Sequence, residues 1–229
     1  KRVAVEEAEA SNEELMEEAP ANFSAAALLQ AGGRRAATAT EKQQFLSMHN
    51  VMRCMHGAPA VAWSDAVAAS ANEWISPMTS MQHANSYSIP PPAGPAGENL
   101  YQSSATGSTP GQVVQLWYQE VNNCRGTPST FTDGCYTSAN GGMIGHFTAL
   151  IWKGVKEIGC AWSNNGKLAI CRYKSDDSLN SNAANMGPAS NYVAQVLPRI
   201  RTKAQCKGGG SSGPSPTPTP PIVPAPTPA

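Results

Sequence analysis

Gly145-His146-Phe147-Thr148-Ala149-Leu150-Ile151-Trp152 carries a single ionisable side chain, His146, at the mouth of an otherwise apolar run. Phe147, Ala149 and Ile151 alternate with Thr148, Leu150 and Trp152, so an extended segment would bear bulky groups on both faces. That pattern predicts a central strand covered on both sides. A histidine at its entrance is then either a hydrogen-bonded core residue or part of a polar site, and the octapeptide leaves both readings open.

Downstream, Asn165-Gly166 is a strong signal for a two-residue hairpin turn. A hairpin centred there sets 164 opposite 167 and, further along the ladder, Cys160 opposite Cys171. Directly opposed strand residues lie about 4.5–5.5 Å apart, within disulfide reach. The chain has six cysteines and none sits in a Cys-x-x-Cys pattern, which favours a disulfide framework and a secretory history over a metal knuckle. Cys124 and Cys135 make a local loop, and elimination leaves Cys54 for Cys206. With residues 145–152, the two arms of the hairpin make three consecutive antiparallel strands. The polar, Asn/Ser-rich stretch 173–191 follows as a long loop, and residues 192–197 add a short strand before Pro198.

Upstream the periodicity is helical. Thr40-Glu41-Lys42-Gln43 has the form of a capping box, and Phe45, Met48, His49 and Met52 form one apolar stripe ending near Gly57. His49 on that face reads as a structural histidine bonded to backbone. A second helix opens at Ser64-Asp65 and carries Val67, Ala71, Trp74, Ile75 and Met78 on one side. A loop with His83 and Pro90-Pro91-Pro92 then runs on through Gly97-Glu98-Asn99-Leu100. Thr109-Pro110-Gly111-Gln112 caps a third helix, buried through Val113, Leu116, Trp117 and Val121. Glu120 falls on that apolar face, where an acid is costly without a partner. It is either a rim glutamate or one aimed into a site.

The ends differ from this centre. Residues 1–39 read as an acidic, then Ala-rich extension, with seven glutamates in positions 1–19, an Asn22-Phe23-Ser24 sequon that makes Asn22 a candidate glycan site, and a dibasic Arg34-Arg35. Residues 40–206 hold the folded domain. Residues 207–229 are a Gly/Ser linker and a tail with eight prolines between 214 and 229, of polyproline-II composition. The alternating Ser-Pro and Thr-Pro of the tail resemble hydroxyproline-rich, O-glycosylated wall glycoproteins, which makes Ser215, Thr217 and Thr219 candidate glycan sites. Sixteen basic and sixteen acidic residues cancel, so the overall charge does not argue for nucleic acid or an anionic membrane as partner. No apolar run reaches the ~18–20 residues that span a bilayer.

Taken together, the motifs resemble those of the CAP superfamily of cysteine-rich secretory, antigen five and pathogenesis-related proteins. Residues 145–152 continuing to Glu157-Ile158-Gly159-Cys160-Ala161 resemble its signature. His49-Asn50, Arg53, His56-Gly57-Ala58-Pro59, Trp63 and the Ala-rich helix to Trp74 match its opening helices. Gly97-Glu98-Asn99-Leu100 and Trp117-Tyr118-Gln119-Glu120 match two further motifs, so the likeness covers about residues 40–200. Two departures stand out. Phe147 and Ala149 replace the tyrosine and glutamine of Gly-His-Tyr-Thr-Gln, and the second signature begins at Cys171-Arg172-Tyr173 but completes only at Pro188-Ala189-Ser190-Asn191.

The resemblance implies an α/β fold, an α-β-α sandwich with a central three- to four-stranded antiparallel sheet flanked by helices. It implies a cleft tetrad of His83, Glu98, Glu120 and His146, in which His83 and His146 could share Zn²⁺ or another divalent cation. A secreted, extracellular binding or matrix module follows, in a cell wall, matrix or surface assembly. Its expected partners are assembly proteins reached through the tails and a sterol, lipid or glycan ligand. The alternative is a metal- or Glu/His-assisted extracellular hydrolase. No Gly-x-Ser-x-Gly or His-Glu-x-x-His motif supports the latter.

Overall fold

The computed structural model describes residues 36–207. The sequon at Asn22, the dibasic pair and Ser215, Thr217 and Thr219 lie outside the described residues. The elements in order are helix α1 (Ala39–Met55), strand β1 (Ala62–Trp63), α2 (Asp65–Ile75), β2 (Ala96–Gln102), α3 (Pro110–Gln119), α4 (Gly145–Ile151), β3 (Glu157–Trp162), β4 (Leu168–Lys174), α5 (Ala189–Gln195) and α6 (Lys203–Lys207). The sheet order is β1-β3-β4-β2. β4 pairs antiparallel with both β3 and β2, and the two-residue β1 runs parallel to β3 at the edge.

Period-2 alternation splits the sheet into two faces. Leu100, Ala161, Leu168 and Ile170 pack on Ala71 and Ile75 of α2. The other face carries Ile158, Cys160, Cys171 and Tyr173, and packs with Phe45 and Met52 of α1, Val113 and Trp117 of α3, and Phe147 and Leu150 of α4. This is the α-β-α sandwich. Gly159 lets α2 lie directly on the sheet, since a Cβ there would come within 2.1 Å of the Ala68 amide nitrogen. The Asn165-Gly166 hairpin has the expected register, with Cys160 opposite Cys171. The disulfides are Cys160–Cys171, Cys124–Cys135 and Cys54–Cys206.

Five local expectations are corrected. Residues 145–151 are a helix, not a strand. A short helix buried on all sides shows the same bulky-on-both-faces pattern as a buried strand, and periodicity does not separate them. The sheet therefore recruits β2, built on Gly97-Glu98-Asn99-Leu100, where a loop was expected. Its partner β4 is remote in sequence, with Glu98 opposite Arg172. Residues 189–195 also form a helix, α5, rather than a strand over 192–197. The capping box of α1 uses Thr38 and Glu41, two positions earlier than Thr40 and Gln43, and so places an acid in the first turn. Leu116 is 47% exposed, and Val114 and Tyr118 fill the core face of α3 instead.

α4 owes its existence to residues far from it. Its N-cap, Ile144, offers no side-chain bond. Glu120 Oε2 accepts instead from the amides of His146 (2.8 Å) and Phe147 (3.3 Å). At the other end the buried Arg53 guanidinium donates to the carbonyls of Leu150 (3.1 Å), Trp152 (2.9 Å), Val155 (3.0 Å) and Pro59 (2.7 Å). A carboxylate at the N-terminus and a cation at the C-terminus complement the helix dipole and its unpaired backbone groups.

Candidate functional site

The four residues expected to form the cleft are arranged as two pairs. In the first, His83 Nδ1 donates to Glu98 Oε1 (2.8 Å), which also accepts from the Ala84 amide (3.0 Å). Glu98 Oε2 accepts from Arg172 Nε (3.1 Å). Glu98 is only 2% exposed while His83 is 61% exposed, so the carboxylate is a buried anchor and the imidazole stands at the rim. Burial pushes the Arg172 guanidinium down from its usual value and Glu98 opposes the shift. A buried anion facing a buried cation in direct β-register satisfies the condition for burying either.

In the second pair, His146 Nδ1 donates to Glu120 Oε1 at 2.6 Å. The same carboxylate thus caps α4 and orients the first side chain of that helix. The His146 ring stacks on Trp117, centroids 6.1 Å apart and planes 28° from parallel. The Trp117 indole is fixed in turn by its Nε1 donating to the Leu100 carbonyl (3.0 Å).

β2 links the pairs. Glu98 belongs to the α2 face of this edge strand and its neighbour Asn99 to the opposite face. Asn99 Nδ2 donates to the His146 carbonyl (2.9 Å) and to the Tyr173 hydroxyl (3.0 Å). Tyr173 donates on to His49 Nε2 (3.0 Å), because His49 Nδ1 must donate to the Phe45 carbonyl (2.7 Å). The loop after β4 adds a second tie. Ala184 packs on Gly97, and Asn185, held at a positive φ of 59°, donates to the Gly145 carbonyl (2.8 Å) and accepts from Thr148 Oγ1 (2.7 Å).

Both site histidines give Nδ1–H to a carboxylate, which in a neutral ring leaves the Nε2 lone pair for a ligand. A carboxylate behind an imidazole is the usual second layer of a metal site. Among the described residues no group of three or more His, Cys, Asp or Glu side chains stands at metal-binding spacing. A closed structural site of three or four such ligands is therefore not formed among these residues.

A family model, the cysteine-rich secretory protein family (CAP), matches residues 46–173, more than half of the chain. The chain belongs to the CAP family. Among its relatives is the Candida albicans protein named Repressed by EFG1 protein 1, 28% identical over 166 residues that make up 69% of this chain and 54% of that protein. Pathogenesis-related protein 1B of Nicotiana tabacum is 29% identical over 135 residues, 58% of this chain and 73% of that one. Secreted protein RBT4 of Candida albicans is 28% identical, across 69% of this chain and 40% of the relative. The chain thus spans about half the length of the first of these. Among solved structures, Na-ASP-1 aligns with a TM-score of 0.47 at 21% identity, covering 67% of this chain and 45% of that one.

Several residues that build this CAP site carry no sequence signal of their own. Arg172 becomes the partner of Glu98 only once β2 and β4 are paired. The tie from Asn99 to His146 likewise needs α4 to be a helix packed on β2. His56 repeats the His49 arrangement. Its Nδ1 donates to the Leu197 carbonyl (2.6 Å) and its Nε2 accepts from Tyr118 (3.0 Å). Burial pushes both histidines down to about 4, which keeps them neutral and structural.

Proposed function

We propose that this CAP domain is an extracellular binding module whose His83 and His146 offer imidazole Nε2 atoms to a divalent cation, Zn²⁺ most naturally. The observation that carries this is the pair of Nδ1–carboxylate bonds, 2.8 Å at His83 and 2.6 Å at His146. Bound Zn²⁺ would act as a Lewis acid or bridge to an oxygen-bearing ligand. An extracellular setting is supported by three disulfides with no free cysteine among the described residues, and by a relative named as a secreted protein.

The carboxylates favour binding over hydrolysis. Glu98 and Glu120 each already accept three hydrogen bonds, from groups that hold the fold as well as the histidines. A general base needs a free oxygen facing the proton it removes. Calorimetric titration with Zn²⁺ tests the reading. Saturable binding at one ion per chain, lost in both His83→Ala and His146→Ala, is the expected result. Two independent ions per chain, or binding untouched by either change, would remove the shared site. A hydrolytic activity that survives Zn²⁺ chelation and disappears in Glu120→Gln would replace binding by catalysis.

A further inference from the structure

At the end of α4 away from His146 lies a cavity of about 620 Å³. Lys153, Lys156, Asn182 and Gln195 supply its polar wall, and Pro59 and Val155 part of its apolar wall. That volume lies within the range of small-ligand sites. Gln195 Oε1 is occupied by the Gly154 amide (2.7 Å) and Asn182 Oδ1 by Gln195 Nε2 (3.4 Å). Asn182 Nδ2 uses one hydrogen on Asp176 (3.0 Å). Each amide therefore keeps one free N–H and one unused lone pair on its oxygen. Lys153 has no carboxylate partner among the described residues, and Lys156 shares its ammonium with Asp176.

A third cation lies behind the wall. The carbonyls of Pro59 and Val155, two of the residues lining the cavity, are held by Arg53 from within. Arg53 is fully buried and bonded to four backbone carbonyls rather than to a carboxylate. Burial lowers its pKa to about 10, so it remains a cation at neutral pH. Around the cavity three cations, Lys153, Lys156 and Arg53, stand against one carboxylate, Asp176, and the remaining wall is aliphatic.

We infer that this cavity binds an acidic saccharide, with sulfate or carboxylate oxygens accepting from Lys153, Lys156 and the two carboxamides while the sugar ring lies on Pro59 and Val155. The volume and the apolar wall exceed what a lone inorganic anion would use. The lysine ammoniums favour an acidic sugar over a neutral one, because hydrogen bonds between ionised groups are the stronger kind. The site is independent of the two His/Glu pairs.

The test is calorimetric titration of the full chain with a heparin tetrasaccharide, its desulfated counterpart and sodium sulfate. The expected result is saturable, salt-sensitive binding of the sulfated tetrasaccharide, weakened about tenfold in Lys153→Gln, as for loss of one charge-assisted hydrogen bond. Asn182→Ala should weaken it as well, and Lys167→Gln at the β3–β4 turn should leave it unchanged. Lys153 is exposed and makes no side-chain bond to the fold, so its variant keeps the structure intact. Unchanged affinity in Lys153→Gln would overturn the site. Equal weakening by Lys167→Gln would reduce it to diffuse charge attraction. Sodium sulfate binding as tightly would remove the saccharide as ligand, equal binding of the desulfated sugar, which keeps its carboxylates, would support recognition through the carboxylates, and loss of binding in His83→Ala would move it to the other cleft.

Discussion

Glu120 shows how one side chain can serve fold and site together. It orients the His146 ring and caps two amides of α4, so its removal acts on both. Glu120→Ala is expected to lower stability by about 1–3 kcal/mol, read as a shift in the urea midpoint at constant slope. Glu120→Gln keeps a capping oxygen and should cost less. His49 and His56 set the acid limit. Each is held neutral in the folded state at about 4, against about 6.5 for an unfolded histidine. The unfolded chain therefore binds more protons between those values. Their contribution is complete above about pH 6.5 and is lost as pH falls toward 4, by up to about 3 kcal/mol for each histidine. Urea midpoints at pH 7.5 and 4.5 measure the loss. His49→Gln should flatten the dependence, and an unchanged slope would place the acid sensitivity elsewhere. Asp176, pushed down to about 2 first by its bond to Lys156, falls outside that window.

At the scale of elements, α4 is the piece on which local and non-local information part company. Its residues read as well for a buried strand as for a helix, and the two groups that decide, Glu120 and Arg53, lie 26 and about a hundred residues away. Arg53→Lys preserves the charge but has one nitrogen where the guanidinium spreads three over four carbonyls. A loss of about 3–5 kcal/mol is expected, as for other broken buried charge networks. Amide exchange should show the loss first at the C-terminal end of α4, and uniform loss across the sheet would contradict a local role. By contrast, the β3–β4 hairpin was legible, because the Asn165-Gly166 turn fixes its own register and with it the Cys160–Cys171 bond. The stripes of α1 and α2 were legible for the same local reason. β2 was not: its edge position depends on pairing with β4 across a sequence gap of 74 residues at Glu98–Arg172. The site follows that division. Motifs named His83, Glu98, Glu120 and His146, but their two-by-two arrangement follows from how β2 and α4 pack.

For the whole molecule, the disulfides divide the work by loop size. Cys160–Cys171 and Cys124–Cys135 each close 11 residues, whereas Cys54–Cys206 closes 152 and straps α6 to the end of α1. In the chain-entropy picture, replacing Cys54 and Cys206 by serine should cost about 5 kcal/mol and replacing Cys160 and Cys171 about 3 kcal/mol. Denaturant midpoints of the two double variants check the order, and the reverse order would point to packing within the sheet as the larger effect. The helices and sheet enclose two polar features at opposite ends of α4, the His/Glu pairs at its N-terminus and the lysine-lined cavity at its C-terminus. The binding module proposed above, with two separate ligand positions, would account for both. The proposed cation site rests on the protonation of two rings, and ¹⁵N NMR of the histidine side chains in the presence and absence of Zn²⁺ reads that directly. His83 and His146 should carry the proton on Nδ1, and only their Nε2 resonances should move on adding Zn²⁺, with His49 and His56 unmoved. A proton on Nε2 of either ring, or Nε2 signals that ignore the ion, would contradict it.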